Sequence, residues 1–273
     1  MKRSAYFLTF ACLSFICSAT FAATETKYCP QGREVSTATE HYCLVELKGK
    51  EVKNGPYKEM HANGAIKVQG QYVQGEKDGL WVMYNDKGKK QEEKNFKQGK
   101  EDGQCASWHW NGNKAYEGAY KDGKPVGVHK MWYHDGKIQW EKKYTYEGKD
   151  TYAEKQSWWP NGQKESVWTW KNDKMNGMLY KWHKNGKKKS ECKYINGQRD
   201  GECTEWYDNG QKKSVYLYVK GERSGPWTEY YKDGQKKVTG NYKKGKMNGL
   251  WTHYRKNGSI ETQKKYKMGK MEK

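Results

Sequence analysis

A spacing of 24 residues runs through most of this chain. Glycines recur at Gly55, Gly79, Gly103 and Gly127; after two extra residues the count resumes at Ala153 and continues through Gly177, Gly201, Gly225 and Gly249. Counting each of these as position 1, position 6 is always large: Met60, Tyr84, Trp108, Trp132, Trp158, Trp182, Trp206, Tyr230 and Tyr254. Position 10 is glycine in all nine repeats, from Gly64 to Gly258, and position 18 is aromatic in all nine, from Tyr72 to Tyr266. Such self-similarity marks an architecture in which one unit cannot bury its own face and leans on the next. The nine repeats cover residues 55–272.

Each repeat reads as strand, tight turn, strand, turn. Asn-Gly stands between the two aromatic positions at residues 63, 111, 161, 185, 209 and 257. Glycine tolerates positive φ, and Asn does so better than most residues, so the pair predicts a reversal. Segments such as Gly245–Gly249 predict the second turn. A glycine every 10 to 14 residues argues against helix, since each interior glycine costs about 1 kcal/mol. The expected fold is an all-β, elongated, single-layer antiparallel meander of nine hairpins. With about eighteen strands spaced about 4.8 Å apart it spans roughly 80 Å. The repeated tryptophans at position 6 read as the packing row between hairpins.

Composition alone points elsewhere. Leu, Ile, Val and Phe total 30 residues and the net charge is +20, a profile of disordered chains. The 13 Trp and 22 Tyr, set at fixed intervals, outweigh it.

The pattern of Gly79–Gly88, G-x-W-x-x-Y-x-x-x-G, recurs at Gly225–Gly234 and Gly249–Gly258. It resembles the MORN-repeat variant found in bacterial proteins of the YwqK antitoxin type. The resemblance implies a scaffold that binds proteins or membranes, an antitoxin- or immunity-like role, and no catalytic residue to carry over. The fifth repeat departs most, with Ala153 for the leading glycine, Lys155 for the usual Trp and Asp173 for the closing glycine, and a kink or local loosening is expected there.

Residues 1–22 have the form of a secretory signal: Lys2 and Arg3, an apolar run from Ala5 to Ile16, then small residues, with cleavage near Ala22. Ile16 stands before Cys17, where a lipoprotein needs a small residue, so soluble export to the periplasm or medium of a bacterium is the expectation. Cleavage lowers the charge from +20 to +18 and leaves five cysteines. Residues 23–54 form a capping segment in which Cys29 and Cys43 are expected to pair, as oxidising compartments allow. Cys192 and Cys203 flank a turn and are candidates for a second bridge, which leaves Cys105 as the free thiol.

No cysteine spacing matches a zinc site, and no phosphate-cradling loop or nucleophile elbow occurs. Histidines, acids and lysines recur in columns, whereas catalysis needs unlike groups converging once. The chain therefore reads as non-enzymatic, without cofactor or metal. Lysines follow the hairpin corner at Lys90, Lys114, Lys164, Lys188, Lys212 and Lys236. Such a row keeps sheets from sticking together and also suits an anionic partner. The candidate partner-binding residues are Trp108, Trp132, Trp158, Trp182, Trp206, Lys188, Lys212 and Lys236. A protein partner, acidic in character, is the first expectation and an anionic membrane surface or glycan the second. Export argues against nucleic acid.

Overall fold

The computed structural model describes residues 28–272, so the expected signal segment lies outside the described residues. Strand follows strand in one open antiparallel sheet, and no helix occurs among the described residues. Two short N-terminal strands, Arg33–Ser36 and Glu40–Leu47, pair ahead of the first repeat. Cys29 and Cys43 are joined by a disulfide that pins the chain start to this edge.

The two turns of a repeat differ from each other in a way the dipeptides do not reveal. The two-residue reversal with positive φ at both centres is the second turn, as at Gln74-Gly75 (φ 52° and 89°) and Lys220-Gly221 (49° and 83°). That geometry matches the right-handed strand twist. The Asn-Gly corner is a wider loop in which only the glycine has positive φ, Gly64 at 81° for example. Its Asn is there for a different reason. The Asn63, Asn111, Asn161, Asn185 and Asn209 amides each donate to a carbonyl in the corner of the next repeat, at 2.7–2.8 Å. Position 7 adds a second stitch: His61, His109 and His183 meet the carbonyls of Tyr84, Trp132 and Trp206 at 2.9–3.0 Å. A carbonyl only accepts, so these rings carry their proton on Nε2. Tyr133, Trp159, Tyr207 and Tyr231 do the same with a hydroxyl or indole N–H.

Between repeats, a bulge sets two extra residues into the downstream strand. Gln69 pairs with Val82 and Gln71 with Asp78, so Gly70 alone faces Gly79, Leu80 and Trp81. The leading glycine takes positive φ there (Gly79 69°, Gly103 116°, Gly201 119°). Bulges increase twist and re-aim side chains, and here the bulge turns position 3 inward. Position 3, not position 6, is therefore the fully buried row: Tyr57, Trp81, Cys105, His129, Cys203 and Trp251 all lie below 9% exposure. Its rings lean on position 16 of the preceding repeat, where glycine makes room. A Cβ on Gly70 would stand 2.4 Å from the Trp81 indole, and one on Gly240 2.2 Å from Trp251. Where position 16 is large, position 3 often shrinks: Lys94 pairs with Cys105, and Trp168 precedes Leu179.

The fifth repeat neither kinks nor loosens. Residues Trp140–Glu147 pair with Asp150–Ser157 without a break in register. The two inserted residues lengthen the upstream strand by as much as the bulge lengthens the downstream strand elsewhere, so no bulge remains. Without a bulge no positive φ is required, and Ala153 stands where the other repeats need glycine.

Candidate functional site

Because the sheet is one layer thick, both faces meet solvent and each can be searched for a surface. The position 6 tryptophans are half-buried. A lysine from position 12 of the preceding repeat lies over four of them: Lys90 on Trp108, Lys114 on Trp132, Lys164 on Trp182 and Lys188 on Trp206, at 5.2–5.8 Å from the ring centre. Trp158 has Ile138 at that place instead. Lys90, Lys114 and Lys188 also bind Glu93, Glu117 and Glu191, each at 2.8 Å. This ladder of ring, lysine and carboxylate covers much of the row with its own side chains. Each exposed cation–π contact contributes about 0.5–1 kcal/mol.

Lys212 and Lys236 differ from Lys188. Val215 and Thr239 stand where Glu191 would be, and among the described residues neither lysine has a carboxylate within 4 Å. The expected uniform basic row is thus three lysines paired with carboxylates, Lys90, Lys114 and Lys188, and three without such a partner among the described residues, Lys164, Lys212 and Lys236.

The position 3 face carries a feature the column analysis missed. Across repeats four to six, small residues replace large ones at its centre: Ser157 and Ser166 are buried, their hydroxyls 2.7 Å apart. Around them lies a groove of about 500 Å³ walled by Trp140, Trp159, Trp168 and Trp170, with Lys155 and Lys181. Trp168 and Trp170 stack with centroids 6.0 Å apart and planes 10° from parallel, and the Trp168 indole N–H donates to Ser166 Oγ at 2.7 Å. Lys155 lies 4.7 Å from the Trp140 ring centre and Lys181 5.0 Å from that of Trp168. Burial, and after it the neighbouring Lys142, pushes the Lys155 ammonium below the ordinary lysine range. A second groove of about 700 Å³ shares Trp168 and Lys181 and continues past Tyr194, Arg199 and Tyr216. Of the tryptophans singled out from sequence, only Trp182 and Trp206 border these grooves. The available signal was the fifth repeat itself: Lys155 in a ring position, beside tryptophans at positions 14, 16 and 18.

The cysteines and the buried histidine are structural. Cys192 and Cys203 are register partners with Cα atoms 4.2 Å apart, and they are joined by a disulfide. Cys105 is buried and unpaired, and desolvation raises its pKa, which keeps it a thiol. His129 fills a position 3 place at 2% exposure, held by the Tyr116 hydroxyl and the Ala119 carbonyl. No cluster of three or more metal-ligating side chains occurs among the described residues.

A family model described as "MORN repeat variant" matches residues 77–98, 199–220 and 223–244. These segments coincide with the second, seventh and eighth hairpin units, so at three places the chain carries repeats of that kind. Comparison with curated proteins finds no match. Among solved structures the chain is similar to one described as "Crystal Structure of TcdB2-TccC3", at 10% identity over 78% of this chain and a TM-score of 0.18. This chain spans about one-seventh of that one, 14% of its length. So low a score carries no argument about fold or role.

Proposed function

We propose that this chain is a non-enzymatic, exported scaffold that holds a protein partner against the aromatic face of its sheet. One observation supports the reading above others. The Trp140–Trp168–Trp170 surface is a large ring cluster with no second layer over it, and aromatic anchors of this kind carry much of the energy of protein interfaces. The groove volumes suit side chains of a partner, and the stitched corners keep the surface rigid before binding, which lowers the entropic cost of association. An antitoxin- or immunity-like role fits such a binder, in keeping with the resemblance of its repeats.

Lys212 and Lys236, free of carboxylate partners, favour a second reading in which the sheet rests on an anionic lipid or glycan surface. Ionic strength separates the two. Affinity capture from periplasmic extract with the chain lacking residues 1–22 should retain one protein at low and high salt, and Trp168→Ala should release it. Retention on anionic liposomes that collapses with salt, with no protein captured at either salt, would sink the first reading.

A further inference from the structure

We propose that the groove across repeats four to six is a binding site for an acidic peptide segment, with carboxylates received by Lys155 and Lys181 and side-chain stems laid against Trp140 and Trp168. The assignment rests on the protein-partner reading and adds the chemistry of what is recognised.

The charge balance of the groove carries the argument. Lys155, Lys181 and Lys189 line it against a single carboxylate, that of Glu165. Among the described residues none of the three lysines has an acidic partner within 4 Å. That sets them apart from Lys90, Lys114 and Lys188, which are paired with Glu93, Glu117 and Glu191. No buried side-chain nitrogen among the described residues is left without a partner, so these ammonium groups reach the groove rather than being sealed beneath it. Lys142 adds a fourth positive charge at the rim, 5.0 Å from the Trp170 ring centre. A site with several lysines, one acid and five indoles favours a ligand that brings negative charge on apolar stems.

Spacing favours an extended chain. The strands bearing Lys155 and Lys181 are two apart, since Asp150–Trp158 and Gly177–Trp182 both flank Lys164–Lys171. Two strand spacings are about 10 Å; side chains on one face of an extended peptide, two residues apart, start about 7 Å apart, and the flexible stems of glutamate and lysine span the difference. The adjoining larger groove is mixed in charge, with Glu191, Glu205 and Asp208 beside Arg199, so the acidic segment is confined to the first groove.

The test uses the chain lacking residues 1–22 with both disulfides intact. It is titrated calorimetrically with acetylated, amidated tetra-glutamate, and tryptophan emission is followed in parallel. Saturable binding is expected, absent for tetra-glutamine and weakened at least about tenfold when Lys155→Met and Lys181→Met are combined, a loss of about 1.4 kcal/mol. Lys155→Gln with Lys181→Gln keeps the groove polar and should show the same loss. Lys100→Ala with Lys124→Ala, at exposed turn lysines outside both grooves, should leave binding unchanged. Equal binding of tetra-glutamine, undiminished binding by both double variants, or a galacturonate tetramer that outbinds the peptide would each overturn the assignment. If the peptide fails while Trp168→Ala still abolishes protein capture, the acidic-segment inference falls and the scaffold reading stands.

Discussion

Replacing Gly70 by alanine tests the packing rule on which the sheet depends. Gly70 has no positive φ, so the substitution acts through space alone. Its new Cβ would lie 2.4, 2.5 and 2.8 Å from Cδ2, Cε2 and Cγ of Trp81, against an ordinary contact of about 3.5–4 Å. The indole must therefore retreat by about 1 Å or more. Trp81 is 5% exposed, packs edge-on to Tyr72 at 5.0 Å, lies 5.4 Å from Tyr57 and donates to the Gln71 carbonyl at 3.2 Å. Loss of that hydrogen bond costs about 1 kcal/mol, and weakening two ring pairs about 0.5–1.5 kcal/mol each. Relief of the glycine's strand penalty returns about 0.5–1 kcal/mol. The net expectation is a destabilisation of about 2 kcal/mol, read from urea denaturation followed by circular dichroism. Trp81→Leu, which reproduces the Leu179 arrangement, should remove most of the added cost of the alanine, with a coupling of about 1–2 kcal/mol in the double-mutant cycle. A Gly70→Ala protein as stable as wild type, or strictly additive effects of the two changes, would refute the idea that glycine is there to seat the ring.

Outcomes at Lys155, at His129 and at the cysteines follow from the same geometry. Lys155→Met should raise stability by about 1 kcal/mol in thermal melts, because a half-buried cation without an acidic partner is replaced by an apolar side chain of similar length. Since burial and Lys142 lower the folded-state pKa of Lys155, wild-type stability should climb as pH rises from that value toward the ordinary lysine range, and the Met variant should lack this climb. Desolvation likewise lowers the pKa of His129 below the ordinary 6.5, so its contribution is present above that pH and lost as pH falls below it; melts from pH 7.5 to 5 should show a decline that His129→Leu reduces. Cys192→Ser with Cys203→Ser should cost about 2–3 kcal/mol, whereas Cys105 should resist a thiol reagent until the chain is unfolded.

Much of the fold follows from glycine and ring spacing. The 24-residue period places two turns per repeat, and turns that close places leave room only for strands. The identity of the buried row could not be read in the same way. Side chains alternate between faces with a period of two, and a bulge of two extra residues at the junctions other than that between repeats four and five, with another irregularity before position 6, resets that count. Position 3 and position 6 look equally suited to packing in the sequence, yet only the first is buried. Lys155 illustrates the same limit at the site: as a letter it is a defect in a ring column, and its meaning depends on which neighbours surround it.

The sequence by itself determined that this chain is a meander of repeated hairpins, because backbone freedom at glycine is a local property that needs no distant partner. Tertiary structure alone decided which rings are covered, which lysines are neutralised and where the sheet leaves an aromatic groove open. Those outcomes depend on contacts between strands, and strand register is a cooperative property of the whole array.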